Sequence, residues 1–274
     1  MAEEVSVDEV RHGGRGRHVA SSPRLDSALA GDRPGLVCYV PLGDPLVPED
    51  LPTALLGAGA DVLEVGAPAA NPRLDGPVVA GSMRRARAAG VGHRRAAELM
   101  AALRGRVGEH PMVWMGYPEH PGARWASTIA ASGVDAVLLA EAPRRLAGPR
   151  RWLTEVGVPL LVFLDLELDP ADVALASAAT SGYVMLQAVP GRTGVRAGGP
   201  DPRLPGALVA LRRAGVRVPL AVGFGVAGAE PARRLVQLGA DAVVIGSAVV
   251  EAALDGSARA ATLVAEVRKA LDAG

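Results

Sequence analysis

The sequence predicts an α/β protein, a single (β/α)8 TIM barrel preceded by a short N-terminal tail with a capping helix. Three observations carry that prediction. The length of 274 residues leaves about 240 for the barrel, near the ~250 typical of the fold. Eight short apolar runs recur along the chain, continuous rather than alternating, as parallel strands covered on both faces require. Two kinds of introduction to these runs also alternate strictly, in four cycles.

The elements follow in order. Residues 1–33 form the tail: charged, with the run Gly13-Gly14-Arg15-Gly16-Arg17 and one short helical pattern over Leu25 to Leu29. The barrel is expected over 34–274. Runs that follow a proline start at Leu36 to Val40, Met112 to Met115, Leu160 to Leu164 and Leu220 to Val222. Between them lie runs introduced by a small residue, glycine and usually aspartate. These are Val62-Leu63 after Gly59-Ala60-Asp61, Ala136 to Leu139 after Gly133-Val134-Asp135, and Ala242 to Ile245 after Gly239-Ala240-Asp241. Tyr183 to Leu186 follows Ser181-Gly182 and fills the same slot without its aspartate. The intervening segments read as helices, for example Arg94 to Arg106 and Pro231 to Leu238. The glycine before each second-type strand is read as the left-handed residue that ends a helix. An open doubly wound sheet is the alternative, disfavoured by one uniform series of eight strands.

Composition narrows the chemistry. With 49% hydrophobic and 21% charged residues and a mean hydropathy of +0.23, the chain can bury a large core and is not a disordered one. Its 29 basic residues balance its 29 acidic ones, so no net charge draws it to nucleic acid or to an anionic membrane. The only lysine is Lys269, which disfavours Schiff-base chemistry on a core lysine. The single cysteine, Cys38, reads as core packing, and no histidine pair has metal-ligand spacing. No cofactor is expected. No apolar run approaches the ~18 residues of a membrane span, and the acidic N-terminus does not resemble a secretory signal, so a cytoplasmic location is expected.

In this fold the working residues sit at the C-terminal ends of the strands. Glu64 ends the second apolar run, where desolvation would raise its pKa toward a value useful for proton transfer. Asp75 lies in the following loop, flanked by Gly76 and Pro77, and can return over the barrel mouth. The plainer reading pairs Glu64 with an arginine and leaves Asp75 to open a turn. Three consecutive strand ends then carry small residues: Gly191-Arg192-Thr193-Gly194, Gly223-Phe224-Gly225 and Gly246-Ser247. Backbone N–H groups there suit a phosphate dianion without net positive charge. The arginines at 84, 85 and 87 and at 144, 145, 150 and 151 read as solvated helix faces.

The run Leu42-Gly43-Asp44-Pro45, the segment Gly59 to Pro68 continuing through Asp75-Gly76-Pro77, then Gly194, Gly223-Phe224-Gly225 and Gly246-Ser247-Ala248 together resemble the tryptophan synthase α subunit family. The resemblance spans roughly Pro34 to Val250 and implies cleavage of indole-3-glycerol phosphate to indole and glyceraldehyde 3-phosphate, without lysine or metal. It implies that Glu64 and Asp75 are catalytic. Glu64 would protonate C3 of the indole and help remove the glycerol hydroxyl proton; Asp75 would stabilise the indole N–H as positive charge develops. Gly194, Gly223, Gly225, Gly246 and Ser247 would hold the phosphate end, Tyr39, Leu138, Met185 and Phe224 would line the indole pocket, and Thr193 would belong to a closing loop.

The chain also departs from the family pattern. Met185 stands where the family has an aromatic hydroxyl. Ala70-Asn71 replaces the usual Ser-Asp. The loops Gly116-Tyr117-Pro118-Glu119-His120 and Gln187 to Arg192 are rebuilt. A kept carboxylate pair with altered partner-facing loops implies an enzyme that works without a β subunit. A conventional α subunit that depends on a β partner, a diverged barrel lyase or isomerase on another phosphorylated substrate, and a silent scaffolding barrel are the alternatives.

Overall fold

The computed structural model describes residues 20–119, 122–188, 199–223 and 225–273. In chain order the strands are β1 (Gly35–Pro41), β2 (Val62–Gly66), β3 (Met112–Gly116), β4 (Ala136–Leu139), β5 (Val162–Leu164), β6 (Val184–Gln187), β7 (Leu220–Gly223) and β8 (Ala242–Ile245). The helices are α1 (Pro23–Ala28), α2 (Leu51–Gly57), α3 (Pro77–Ala88), α4 (His93–Val107), α5 (Ala123–Ala131), α6 (Ala147–Glu155), α7 (Pro170–Ser177), α8 (Leu204–Arg213), α9 (Ala229–Gln237), α10 (Ser247–Ala253) and α11 (Ser257–Asp272).

All strand pairs are parallel, and β1 pairs with both β2 and β8. The seam between β4 and β5 is held by a bridge from Val137 to Leu160, with Leu161 N–H donating to the Val137 carbonyl at 2.8 Å. The eight strands therefore close into the expected barrel. Several boundaries shift, two of them by more than one residue: β5 begins at Val162 because Leu160 makes only that bridge, and β2 runs on to Gly66, so Glu64 lies in the middle of its strand rather than at its end.

The continuous apolar runs divide by strand period between two cores. Leu36, Cys38 and Val40 pack outward with the helix-facing core, and burial pushes the Cys38 thiol well above its usual range. Val37, Val62, Val113, Leu138, Phe163 and Met185 fill the interior. Leu25 of α1 is fully buried in that interior cluster, so α1 plugs the barrel floor. Among the described residues no helix is long and apolar enough to cross a membrane.

The glycine-aspartate signal proves richer than a helix stop. Gly59, Gly133, Gly182 and Gly239 all have positive φ, between 74° and 103°, as the left-handed turn requires. The aspartates go further: Asp61 accepts the N–H of Leu36 at 2.8 Å, Asp135 that of Met112 at 2.8 Å, and Asp241 that of Leu220 at 2.6 Å. Each thus caps the entry of the preceding strand. At the fourth slot, where sequence supplies no aspartate, Asp26 of α1 supplies a carboxylate that binds the slot itself instead of the entry of the preceding strand. It accepts the N–H of Gly182 at 2.6 Å and the Ser181 hydroxyl, while Ser22 N–H donates to Ser181 Oγ at 2.8 Å.

Candidate active site

Glu64 projects into the barrel from β2, level with Tyr39 on β1 and Val113 on β3. It is 3% exposed, and its Oε1 accepts the hydroxyl of Tyr183 from the base of β6. Among the described residues no arginine pairs with it. Burial raises its carboxyl to about 7, the Tyr183 bond pulling weakly the other way. A carboxylic acid with a pKa near neutrality is equipped both to give and to take a proton.

Asp75 returns over the mouth as the sequence predicts. Its loop ends at Gly76 and Pro77, where α3 starts, and Asp75 is 4% exposed. Tyr117, from the loop after β3, donates its hydroxyl to Asp75 Oδ2 at 2.7 Å and accepts the N–H of Leu74 at 3.1 Å. Burial and the adjacent Asp75 push the Tyr117 phenol well above its usual range, so it stays protonated and keeps donating.

Glu64, Asp75, Tyr39, Met185, Gly225, Gly246 and Ser247 line one cavity of about 50 Å³. A larger hollow of about 370 Å³, walled by α10 and α11, shares Gly225 and Ser247 with it. Another of about 240 Å³ lies against Arg73 and Leu74 on the far side of the Asp75 loop. Gly225 has φ +80°, and Gly246 and Ser247 open α10, whose first N–H groups have no partner within the helix. Gly223 ends β7 facing the Met185 methyl: a Cβ there would come within 2.5 Å of it, so the glycine makes room for the methionine. Leu138 is buried deeper in the barrel interior and is not among the cavity-lining residues described. Thr193, Gly194 and Phe224 lie outside the described residues. Among the described residues the buried Tyr39 hydroxyl has no hydrogen-bond partner.

Four residues of this neighbourhood escaped the sequence reading: Tyr183, Tyr117, Glu119 and Arg73. The one signal for Tyr183 was a phenol inside an otherwise aliphatic strand. Two arginines read as solvated bind buried aspartates: Arg85 holds Asp44 through Nε at 2.9 Å, tying the β1 loop to α3, and Arg144 holds Asp172.

A parallel barrel with a buried carboxyl raised toward neutrality and a second carboxylate lining the same cavity has the make-up of a barrel enzyme suited to proton transfer. The profile described as "Tryptophan synthase alpha chain" matches residues 25–272. The tryptophan synthase alpha chain of Bordetella bronchiseptica is 37% identical over 238 residues, covering 84% of this chain and 82% of that one. That of Xanthomonas campestris pv. campestris is 32% identical over 263 residues, covering 91% and 96%. Among solved structures, Mycobacterium tuberculosis tryptophan synthase superposes with a TM-score of 0.79 at 27% identity, covering 93% of this chain and all of the matched one. The α subunit from Legionella pneumophila gives 0.77 at 26% identity, covering 92% and 99%. The chain belongs to the tryptophan synthase alpha chain family.

Proposed function

We propose that this protein cleaves indole-3-glycerol phosphate to indole and glyceraldehyde 3-phosphate, and that it does so without a β subunit. The observation that carries the reaction is the convergence of Glu64 and Asp75 on one cavity with Gly225, Gly246 and Ser247. Glu64 in its acid form delivers a proton to C3 of the indole ring, leaving positive charge on the ring nitrogen. Asp75 accepts a hydrogen bond from that N–H and stabilises the charge where it develops. Loss of the proton from the side-chain hydroxyl forms the aldehyde, the carbon-carbon bond breaks, and its electron pair returns to the ring. Glu64, then a carboxylate, is the group suited to take the hydroxyl proton. Gly225, Gly246 and Ser247 hold the phosphate through backbone N–H groups and a hydroxyl, so an anionic substrate suits a chain of zero net charge. Tyr39 and Met185 form the apolar wall for the ring.

A second reading keeps this chemistry but makes it depend on a tryptophan synthase β subunit, as the relatives' designation as alpha chains suggests for them. Indole release by the purified protein decides between them. Steady turnover alone, changed less than about threefold by added β subunit, supports the first reading. No release alone with a large rise on addition supports the second. No release under either condition overturns both.

A further inference from the structure

The loop that carries Asp75 is fastened to its own barrel at both ends of its exposed stretch. Glu119, in the loop after β3, accepts the N–H of Ala70 through both carboxylate oxygens, at 2.8 and 3.0 Å, and the N–H of Asn71 at 3.0 Å. Three residues on, Arg73 reaches the other way. Its Nη2 donates to the Ala140 carbonyl at 3.0 Å and to Glu141 at 2.6 Å, just past β4, and its guanidinium lies 5.4 Å from the centre of the Tyr117 ring. Tyr117 in turn holds both Leu74 N–H and the Asp75 carboxylate.

We infer that Glu119 and Arg73 are positioning residues, which fix the 70–74 loop so that Asp75 is presented to the substrate by this chain alone. The inference rests on the proposed reaction and deepens it. A surface loop with unpaired backbone N–H groups samples many conformations, and only those placing Asp75 over the ring are productive. A carboxylate receiving three N–H···O contacts from two consecutive residues removes most of that freedom, and charge-assisted bonds of this kind are stronger than neutral ones. The loop's backbone donors at 70 and 71 are consumed within the chain and are not left for a second subunit to satisfy. Arg73 adds a tether to β4 and packs on the phenol that holds Asp75. The effect of losing either residue falls on the fraction of molecules with Asp75 in place, hence on kcat more than on KM.

Glu119 is half-buried and the Arg73 side chain is 40% exposed, so neither is needed to fill a core. The test compares E119A, E119Q and R73A with the wild-type protein, with no β subunit present. It reads indole-release kinetics, amide hydrogen exchange at Ala70 and Asn71, and thermal melting. The expected result for E119A is a kcat at least tenfold lower, KM within threefold, and faster exchange at both amides. E119Q, which keeps one acceptor oxygen, recovers part of the loss, and R73A shifts kcat in the same direction. Kinetics within twofold of wild type in both alanine variants would overturn the inference while leaving the reaction standing. So would an unchanged exchange rate at Ala70 and Asn71. A wild-type protein that releases no indole removes the reaction on which the inference rests.

Discussion

Replacing Glu64 by glutamine should make the protein more stable in alkaline buffer and nearly indifferent to the change in acid. The folded carboxyl titrates at about 7 against an ordinary value of 4.5 because it is buried. Between those two pH values the folded state keeps a proton that the unfolded chain has already released. Stability therefore falls as pH rises from about 4.5 to 7, and above 7 the full cost of the buried charge remains. At about 1.4 kcal/mol per pH unit the penalty is about 3–4 kcal/mol. Glutamine is neutral throughout and its carbonyl can still accept the Tyr183 hydroxyl, so E64Q removes the penalty while keeping the bond. Near pH 8 its melting temperature should exceed that of wild type by roughly 7–14 °C, as expected for a domain of this size; near pH 4.5 the two should coincide. The assay is differential scanning calorimetry of both proteins across that range, with indole release measured on the same samples. Turnover in E64Q should fall by about 10²–10⁴, the usual contribution of a general acid or base. A melting difference that is the same at pH 4.5 and pH 8 would refute the claim that Glu64 titrates near neutrality in the folded barrel.

Three further outcomes follow from the same geometry. In Y183F the bond that pulls the Glu64 carboxyl down is lost, so the alkaline limb of kcat/KM, set near pH 7 by the need for the acid form, should move to higher pH; a limb that stays put or moves down contradicts this. Y39F deletes a buried hydroxyl that has no partner among the described residues and should stabilise the fold by about 1 kcal/mol in urea titrations, whereas a loss of stability would show that the hydroxyl is satisfied. D75N should lower kcat by about 10²-fold yet leave inorganic phosphate binding, followed by calorimetry, unchanged; a parallel loss of phosphate affinity would mean that Asp75 shapes the anion site instead.

Much of the fold was legible because the barrel repeats a local signal. Each apolar run was bounded by proline or by a glycine turn, and both depend only on neighbours in sequence. Glu64 stood out for a related reason, as a lone carboxylate in an apolar strand. What surrounds it did not. Tyr183 is 119 residues from Glu64, Tyr117 is 42 from Asp75, and Glu119 is 49 from Ala70, so their pairing is created by strand adjacency and by the order in which loops meet at the mouth. The position of Glu64 within β2 was misjudged because Val65 and Gly66 continue the ladder with Val40 and Pro41, a feature of register and not of apolar pattern. The arginine face at Arg85 reads as solvated in sequence because its partner, Asp44, comes from the β1 loop 41 residues away.

The borrowed aspartate on the barrel floor has a consequence for the order of assembly. Asp26 and Ser22 are synthesised before any strand of the barrel, yet the groups they bind, Ser181 and Gly182, are made more than 150 residues later. Leu25 likewise waits for an interior that includes Phe163, Tyr183, Ala221 and Val244. Helix α1 is therefore made well before its full set of partners: Arg24 can reach Glu109 and Asp135 once the first half of the barrel exists, but the bonds of Ser22 and Asp26 cannot form until Ser181 and Gly182 are in place.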